Sequence, residues 1–128
     1  MIHRDNKYTN GVSKLMKIEE EQNYQCTVEA TITVAGGKWK PLIIYYLLSG
    51  TKRFGELRKL IGSVTQRSLT LQLRELEAHG IISRKIFAEV PPRVEYSLTE
   101  LGFTLAPVLE TMKAWGDAYV SRQRKKDH

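Results

Sequence analysis

Between Gly80 and Thr99 the chain leaves the helical hydrophobic period that governs everything around it. Ile81-Ile82-Ser83-Arg84-Lys85-Ile86-Phe87 is rich in β-branched and aromatic residues, and Val94-Glu95-Tyr96-Ser97-Leu98 alternates apolar with polar. The two runs are joined by Glu89-Val90-Pro91-Pro92-Arg93, so they read as a β-hairpin with a stiff tip. On both sides the apolar spacing returns to three and four, the spacing of a helix with one buried face. A hairpin set between helical runs restricts the chain to a mainly α, α+β architecture.

Four helical runs precede the hairpin. The first carries Val28, Ile32 and Ala35 and stops at Gly36-Gly37. The second carries Trp39, Leu42, Ile43, Tyr46 and Leu47, tolerates Pro41 only in its first turn, and closes at Ser49-Gly50. The third, from about Arg53 to Leu60, turns Phe54, Leu57 and Ile61 inward and Arg58 and Lys59 outward. After the turn Gly62-Ser63, Thr65 is placed to cap a fourth helix whose inner stripe is Leu69, Leu73 and Leu76 and which ends at His79-Gly80. After the hairpin, Thr99 and Glu100 open a last helix with a seam of Leu101, Leu105, Val108, Met112, Trp115 and Tyr119, kinked at Pro107. Residues 1–25 read as a loosely ordered arm, in which Val12, Leu15, Met16 and Ile18 could form a short helix before Glu19-Glu20-Glu21. Residues 26–120 form the folded unit, and 121–128, with Arg122-Gln123-Arg124-Lys125-Lys126, a frayed basic tail.

Composition narrows the function. The 128 residues carry a formal net charge of +6, which points to an acidic partner. One cysteine, Cys26, excludes an intramolecular disulfide and fits a reducing cytosol. The start of the chain is polar and the apolar stretch Pro41–Leu48 is too short to span a bilayer, so a soluble cytoplasmic protein is expected. The three histidines, His3, His79 and His128, make neither a metal site nor a catalytic pair with Cys26; no cofactor, metal or enzymatic activity is expected. The aromatics Trp39, Tyr45, Tyr46 and Tyr96 follow core-like patterns and form no stacking platform for RNA.

Two short helices joined by a glycine turn and followed by a hairpin give the layout of a winged helix-turn-helix with a two-stranded wing. The outer face of the fourth helix carries Arg67, Thr70, Leu71 and Arg74, with Gln66 at its N-terminal flank. Arg can donate twice to guanine, Gln can pair with adenine, and an apolar group can meet the thymine methyl, so these five residues are candidates for base reading. The alternative is a merely solvated face. Arg84, Lys85 and Arg93 place positive charge on the wing, with Arg93 beside the Pro tip as a candidate minor-groove probe; surface pairing with Glu89 or Glu95 is the competing reading. Lys38, Lys40, Lys52 and Arg53, around the ends of the second helix, suit phosphate contacts. A winged helix that binds only protein, the competing module, would lack Arg67, Arg74 and the wing cations.

The runs Gly36-Gly37-Lys38-Trp39, Gly50-Thr51-Lys52-Arg53-Phe54-Gly55-Glu56-Leu57, Leu69-Thr70-Leu71-Gln72-Leu73-Arg74-Glu75-Leu76 and Val90-Pro91-Pro92-Arg93-Val94-Glu95-Tyr96-Ser97-Leu98-Thr99-Glu100-Leu101-Gly102, with Trp115-Gly116, resemble the HxlR family of bacterial regulators. The resemblance runs from Cys26 to Tyr119. It implies a MarR-like winged-helix fold, terminal dimerisation helices, binding of double-stranded DNA and control of nearby genes. The seam is too long and apolar to stay wet; part of it should cover the core and the rest meet a second copy, with Val28, Ile32, Leu105, Val108, Met112, Trp115 and Tyr119 as the expected homodimer contacts.

The family's cysteine before the first core helix is matched by Cys26, though Thr27 stands where Pro is usual. In some members that cysteine is a sensor. A thiol at a helix start is favoured as thiolate and open to oxidation, alkylation or pairing with a second Cys26; a small partly buried hydrophobe is the alternative. A small-molecule effector fits a helix-lined dimer cleft, but no residue selects one.

Overall fold

In the computed structural model the described residues are 24–127. The expected arm helix around Val12 to Ile18, the acidic run that follows it, His3 and His128 lie outside the described residues. The helices are α1 (Thr27–Ala35), α2 (Lys40–Leu47), α3 (Phe54–Ile61), α4 (Gln66–Ala78), α5 (Glu100–Phe103) and α6 (Ala106–Lys126); the strands are β1 (Lys52–Arg53), β2 (Ile82–Phe87) and β3 (Arg93–Leu98).

The helix boundaries follow local chemistry. Gly36 caps α1, and Pro41 sits in the first turn of α2, where its missing N–H costs nothing. The turn from α3 to α4 passes through Gly62 at φ +92°, a left-handed conformation that a Cβ disfavours. Thr65 Oγ1 then accepts from the Ser68 N–H at 3.0 Å, which fixes the start of α4.

The expected hairpin forms, with a register that runs from Ile82 opposite Leu98 to Phe87 opposite Arg93. The two-stranded wing is joined by a strand the sequence does not announce. β1 adds to it as an antiparallel third strand, in the order β1-β3-β2, with Lys52 opposite Tyr96 and Arg53 opposite Glu95. Two residues carry no period, so this strand leaves no sequence signal.

The expected kink at Pro107 is a complete break. Thr99 caps the short α5, accepting from the Gly102 N–H at 3.0 Å, and α6 restarts at Ala106 with Pro107 in its first turn. Thr99 Oγ1 also reaches the carbonyl oxygens of Gly80 (2.6 Å) and Ile81 (3.1 Å), which stitches α5 to the start of β2. Gly102 lies so close to the Ile81 carbonyl oxygen that any Cβ there would collide with it. Helix α6 runs on through Arg122 to Lys126, the stretch expected to fray.

The core gathers one face from each layer. Ile43, Ile44 and Leu47 of α2, Leu57 of α3, Leu69 and Leu76 of α4 and Ile82 of β2 are fully buried. Ala35, Val64, Leu73, Ile81, Leu98 and Leu109 complete it among the described residues, with Phe54, Ile61, Tyr96 and Leu105 packed against it. Leu42, expected on the inner stripe of α2, is instead exposed, and Ile44 takes its place.

Candidate nucleic-acid interface

Burying Leu69, Leu73 and Leu76 turns the opposite side of α4 outward. Gln66, Arg67, Leu71 and Arg74 are exposed there, and Thr70 is half-buried. The Thr70 hydroxyl donates to the Gln66 carbonyl oxygen at 2.8 Å. Leu71 is 47% exposed, a leucine held in water. Among the described residues neither Arg67 nor Arg74 has an ion-pair partner, so both guanidinium groups are available to a ligand.

Helix α3 lies beside the N-terminus of α4. Phe54, Gly55, Arg58 and Lys59 line an open cleft of about 430 Å³ together with Gln66. Helical spacing marks Arg58 and Lys59 as outward-facing without saying what they face, so the sequence does not single them out as DNA contacts. The fold brings both next to Gln66, at the start of α4. Arg53 is exposed at the start of α3, where its backbone N–H donates to the Glu56 carboxylate at 2.8 Å.

Several cations expected to touch DNA are engaged within the protein. Arg93 is paired with Glu89 at 3.2 Å and Glu95 at 3.4 Å, and its guanidinium lies 3.9 Å from the Phe87 ring centre. With its side chain only 27% exposed, Arg93 is a clamp across the hairpin and not a free probe at its tip. The tip itself is Val90, Pro91 and Pro92, all exposed. Arg84 pairs with Glu77 of α4 at 3.5 Å. Lys85 stays exposed beside the Phe87 ring, 5.0 Å from its centre.

Lys40 is withdrawn from solvent. Its ammonium donates to the Glu75 carboxylate at 2.5 Å, and the side chain is 12% exposed, so no phosphate can reach it without breaking that pair. Lys52 donates to Ser49 Oγ (3.1 Å) and the Gly50 carbonyl (3.3 Å), securing the turn into β1. Lys38 is exposed and lies over the Trp39 ring at 4.7 Å. Tyr96 has its pKa raised chiefly by burial; Glu77 adds to the rise, and the nearby Arg84 and Arg74 oppose it.

The expected dimer seam divides in two. Leu105 packs on the core and Leu109 is buried, so Leu105 serves the domain interior rather than an outer contact. Val108, Met112, Trp115 and Tyr119 are exposed on α6, as are Val28 and Ile32 on α1. Trp115 and Tyr119 stack with ring centres 5.3 Å apart and planes 11° from parallel. Cys26 is exposed and occupies the N-cap position of α1 without capping it through its side chain. Among the described residues no group of three or more His, Cys, Asp or Glu side chains could hold a metal ion, and no helix is long and apolar enough to cross a membrane.

A capped helix with exposed arginines on its outer face, a second helix beside its N-terminus and a sheet at its flank define a winged helix-turn-helix protein. The chain belongs to the HxlR-like helix-turn-helix family, whose model matches residues 34–124, and is a transcriptional regulator of the helix-turn-helix type. It is 57% identical over 97 residues to the uncharacterized HTH-type transcriptional regulator YdeP of Bacillus subtilis (strain 168), covering 76% of each chain. Among solved structures it is similar to the redox regulator HypR in its reduced form, at 51% identity and a TM-score of 0.73, covering 78% of this chain and 99% of that one. It is also similar to the reduced form of the transcriptional regulator YodB from B. subtilis, at 38% identity and a TM-score of 0.63, covering 73% and 93%.

Proposed function

We propose that the protein is a cytoplasmic homodimer that reads an inverted repeat in double-stranded DNA. The observation that carries this reading is the outer face of α4, where Arg67 and Arg74 are exposed on either side of exposed Leu71, with no ion-pair partner among the described residues. In the major groove Gln66, Arg67, Thr70, Leu71 and Arg74 would meet base edges. Arg58, Lys59, Arg53 and Lys38 would hold the flanking phosphates, and Lys85 would serve the wing. The reading unit spans residues 26–120, and α6 carries a basic end beyond it.

The second copy is supported by the two apolar strips left in water, Val28 and Ile32 on α1 and Val108, Met112, Trp115 and Tyr119 on α6. Two-fold symmetry would relate the two α4 helices, with half-site centres about one helical turn, roughly 10 base pairs, apart. Cys26 would report oxidants or electrophiles. Its exposure and the likeness to a protein described as a redox regulator support that role.

Selection of bound duplexes from a random pool tests the reading, with sedimentation at micromolar concentration beside it. An inverted repeat and twice the chain mass are expected. A motif without two-fold symmetry, or a clean monomer bound to DNA, would contradict the dimeric reader.

A further inference from the structure

The apolar stripe of α4 sets how deep the helix sits but does little to set its roll. Contacts made by Leu69, Leu73 and Leu76 are non-directional, so they hold the roll less sharply than a hydrogen bond does. Base reading is far less tolerant. A rotation of about 15° moves a group roughly 6 Å from the axis by about 1.5 Å, enough to spoil a paired hydrogen bond. Directional contacts are needed to hold the roll.

Two carboxylates on α4 supply anchors away from that stripe, one of them a directional hydrogen bond. Glu75 and Glu77 are two residues apart, which places them about 160° apart around the axis. Glu75 accepts from Lys40, the first residue of α2, in a pair whose side chains are 12% and 28% exposed. Glu77 meets Arg84 Nε at 3.5 Å on β2. Arg84 stands opposite Tyr96 in the β2–β3 register, and the Tyr96 hydroxyl senses Glu77, Arg84 and Arg74 together. The helix is thus tied to α2 on one flank and to the wing on the other.

We propose that Lys40–Glu75 and Arg84–Glu77 form a two-sided brace that fixes the roll of α4. Lys40, Glu75 and Glu77 are then positioning residues for base discrimination and touch no DNA. The inference rests on the DNA-reading role proposed above. Lys40–Glu75 is a charge-assisted hydrogen bond, which is short, strong and directional; Arg84–Glu77, at 3.5 Å, is a looser ion pair that holds the opposite flank. The half-buried Lys40–Glu75 pair is also less screened by salt than a surface pair.

The experiment uses the duplex that the wild-type protein selects from a random pool and a scrambled duplex of equal length and composition. Affinity for each is measured across potassium chloride concentrations for wild type, Lys40→Met, Glu77→Gln and the charge-swapped Lys40→Glu/Glu75→Lys. In Lys40→Met the ratio of selected to scrambled affinity falls about tenfold, comparable to the loss of one paired base contact. The slope of log affinity against log salt stays at the wild-type value, because no phosphate contact is lost. The charge swap restores the ratio to within about threefold of wild type, which lost folding alone would not allow. Glu77 is on the outer, wetter pair, so Glu77→Gln keeps the fold and lowers the ratio by a smaller factor even if Lys40→Met unfolds. Equal losses on both duplexes with a slope shallower by about one unit would make Lys40 a phosphate contact and overturn the brace. An unchanged ratio in Glu77→Gln, or in a folded Lys40→Met, would overturn it too. If wild type selects no sequence, the DNA-reading role fails, and the brace falls with it.

Discussion

Arg93 lies 3.9 Å from the centre of the Phe87 ring, directly across the hairpin, and Glu89 and Glu95 hold its guanidinium there. These contacts predict a mechanical role. Arg93→Ala should lower stability by about 1–2 kcal/mol, the sum of one cation–π contact and two partly exposed ion pairs. It should leave any preference for A-tract flanks unchanged. A thermal melt and a flank-substituted binding series check the two halves; a flank preference abolished in a protein of wild-type stability would return Arg93 to the minor groove.

Arg67 and the pair Arg58 and Lys59 separate reading from anchoring. Arg67→Ala should cost roughly 1–3 kcal/mol on the selected site and much less on random DNA. Arg58→Ala and Lys59→Ala should each weaken both alike and flatten the salt dependence by about one unit of slope. Titrations at several salt concentrations decide it. Equal losses on both DNAs for Arg67→Ala would reduce it to a phosphate contact.

Gly102 has no room for a side chain. A methyl group there meets the Ile81 carbonyl oxygen, which is backbone and also accepts from Thr99 Oγ1. Gly102→Ala should therefore destabilise by about 1–3 kcal/mol, the usual range for overpacking. Chemical denaturation reads this directly, and a neutral effect would mean that α5 can slide away from β2 at no cost.

What the chain discloses about itself depends on whether a feature has a period. The Leu69-Leu73-Leu76 stripe, the Thr65 cap and the alternation in Val94 to Leu98 each repeat or punctuate, and each appears where local spacing places it. β1 is two residues long and has no period to read. Ion pairs have none either: Lys40 and Glu75 are 35 positions apart, and nothing in either neighbourhood marks the other. The outer face of α4 is legible because burial of one stripe dictates the opposite one. The free or engaged state of most cations is not, since it depends on which carboxylate the fold brings near, as Glu75 to Lys40 and Glu77 to Arg84; only the pairing of Arg93 with Glu89 and Glu95 is open to the sequence, as an alternative. Pro107 is legible as a disturbance, but a helix restart puts proline in a first turn, where it is favoured, and so a break replaces the kink.

Cys26 is exposed at the start of α1, next to the strip formed by Val28 and Ile32. Cys26→Ser should bind the selected duplex as wild type does under reducing conditions. With diamide present, wild type should change affinity at least several-fold and the variant should not. Gel-shift titrations with and without diamide measure both, and an identical response would remove Cys26 from any sensing role.

If α4 reads bases through its outer arginines, removing one of them must change the sequence that the protein selects. The most direct test is to run selection from one random pool in parallel with wild type and Arg74→Ala. We expect an inverted-repeat motif for wild type and, for the variant, loss of guanine preference at one symmetry-related pair of positions with the rest of the motif intact. Identical motifs from the two proteins, or no motif from wild type, would contradict base reading by α4.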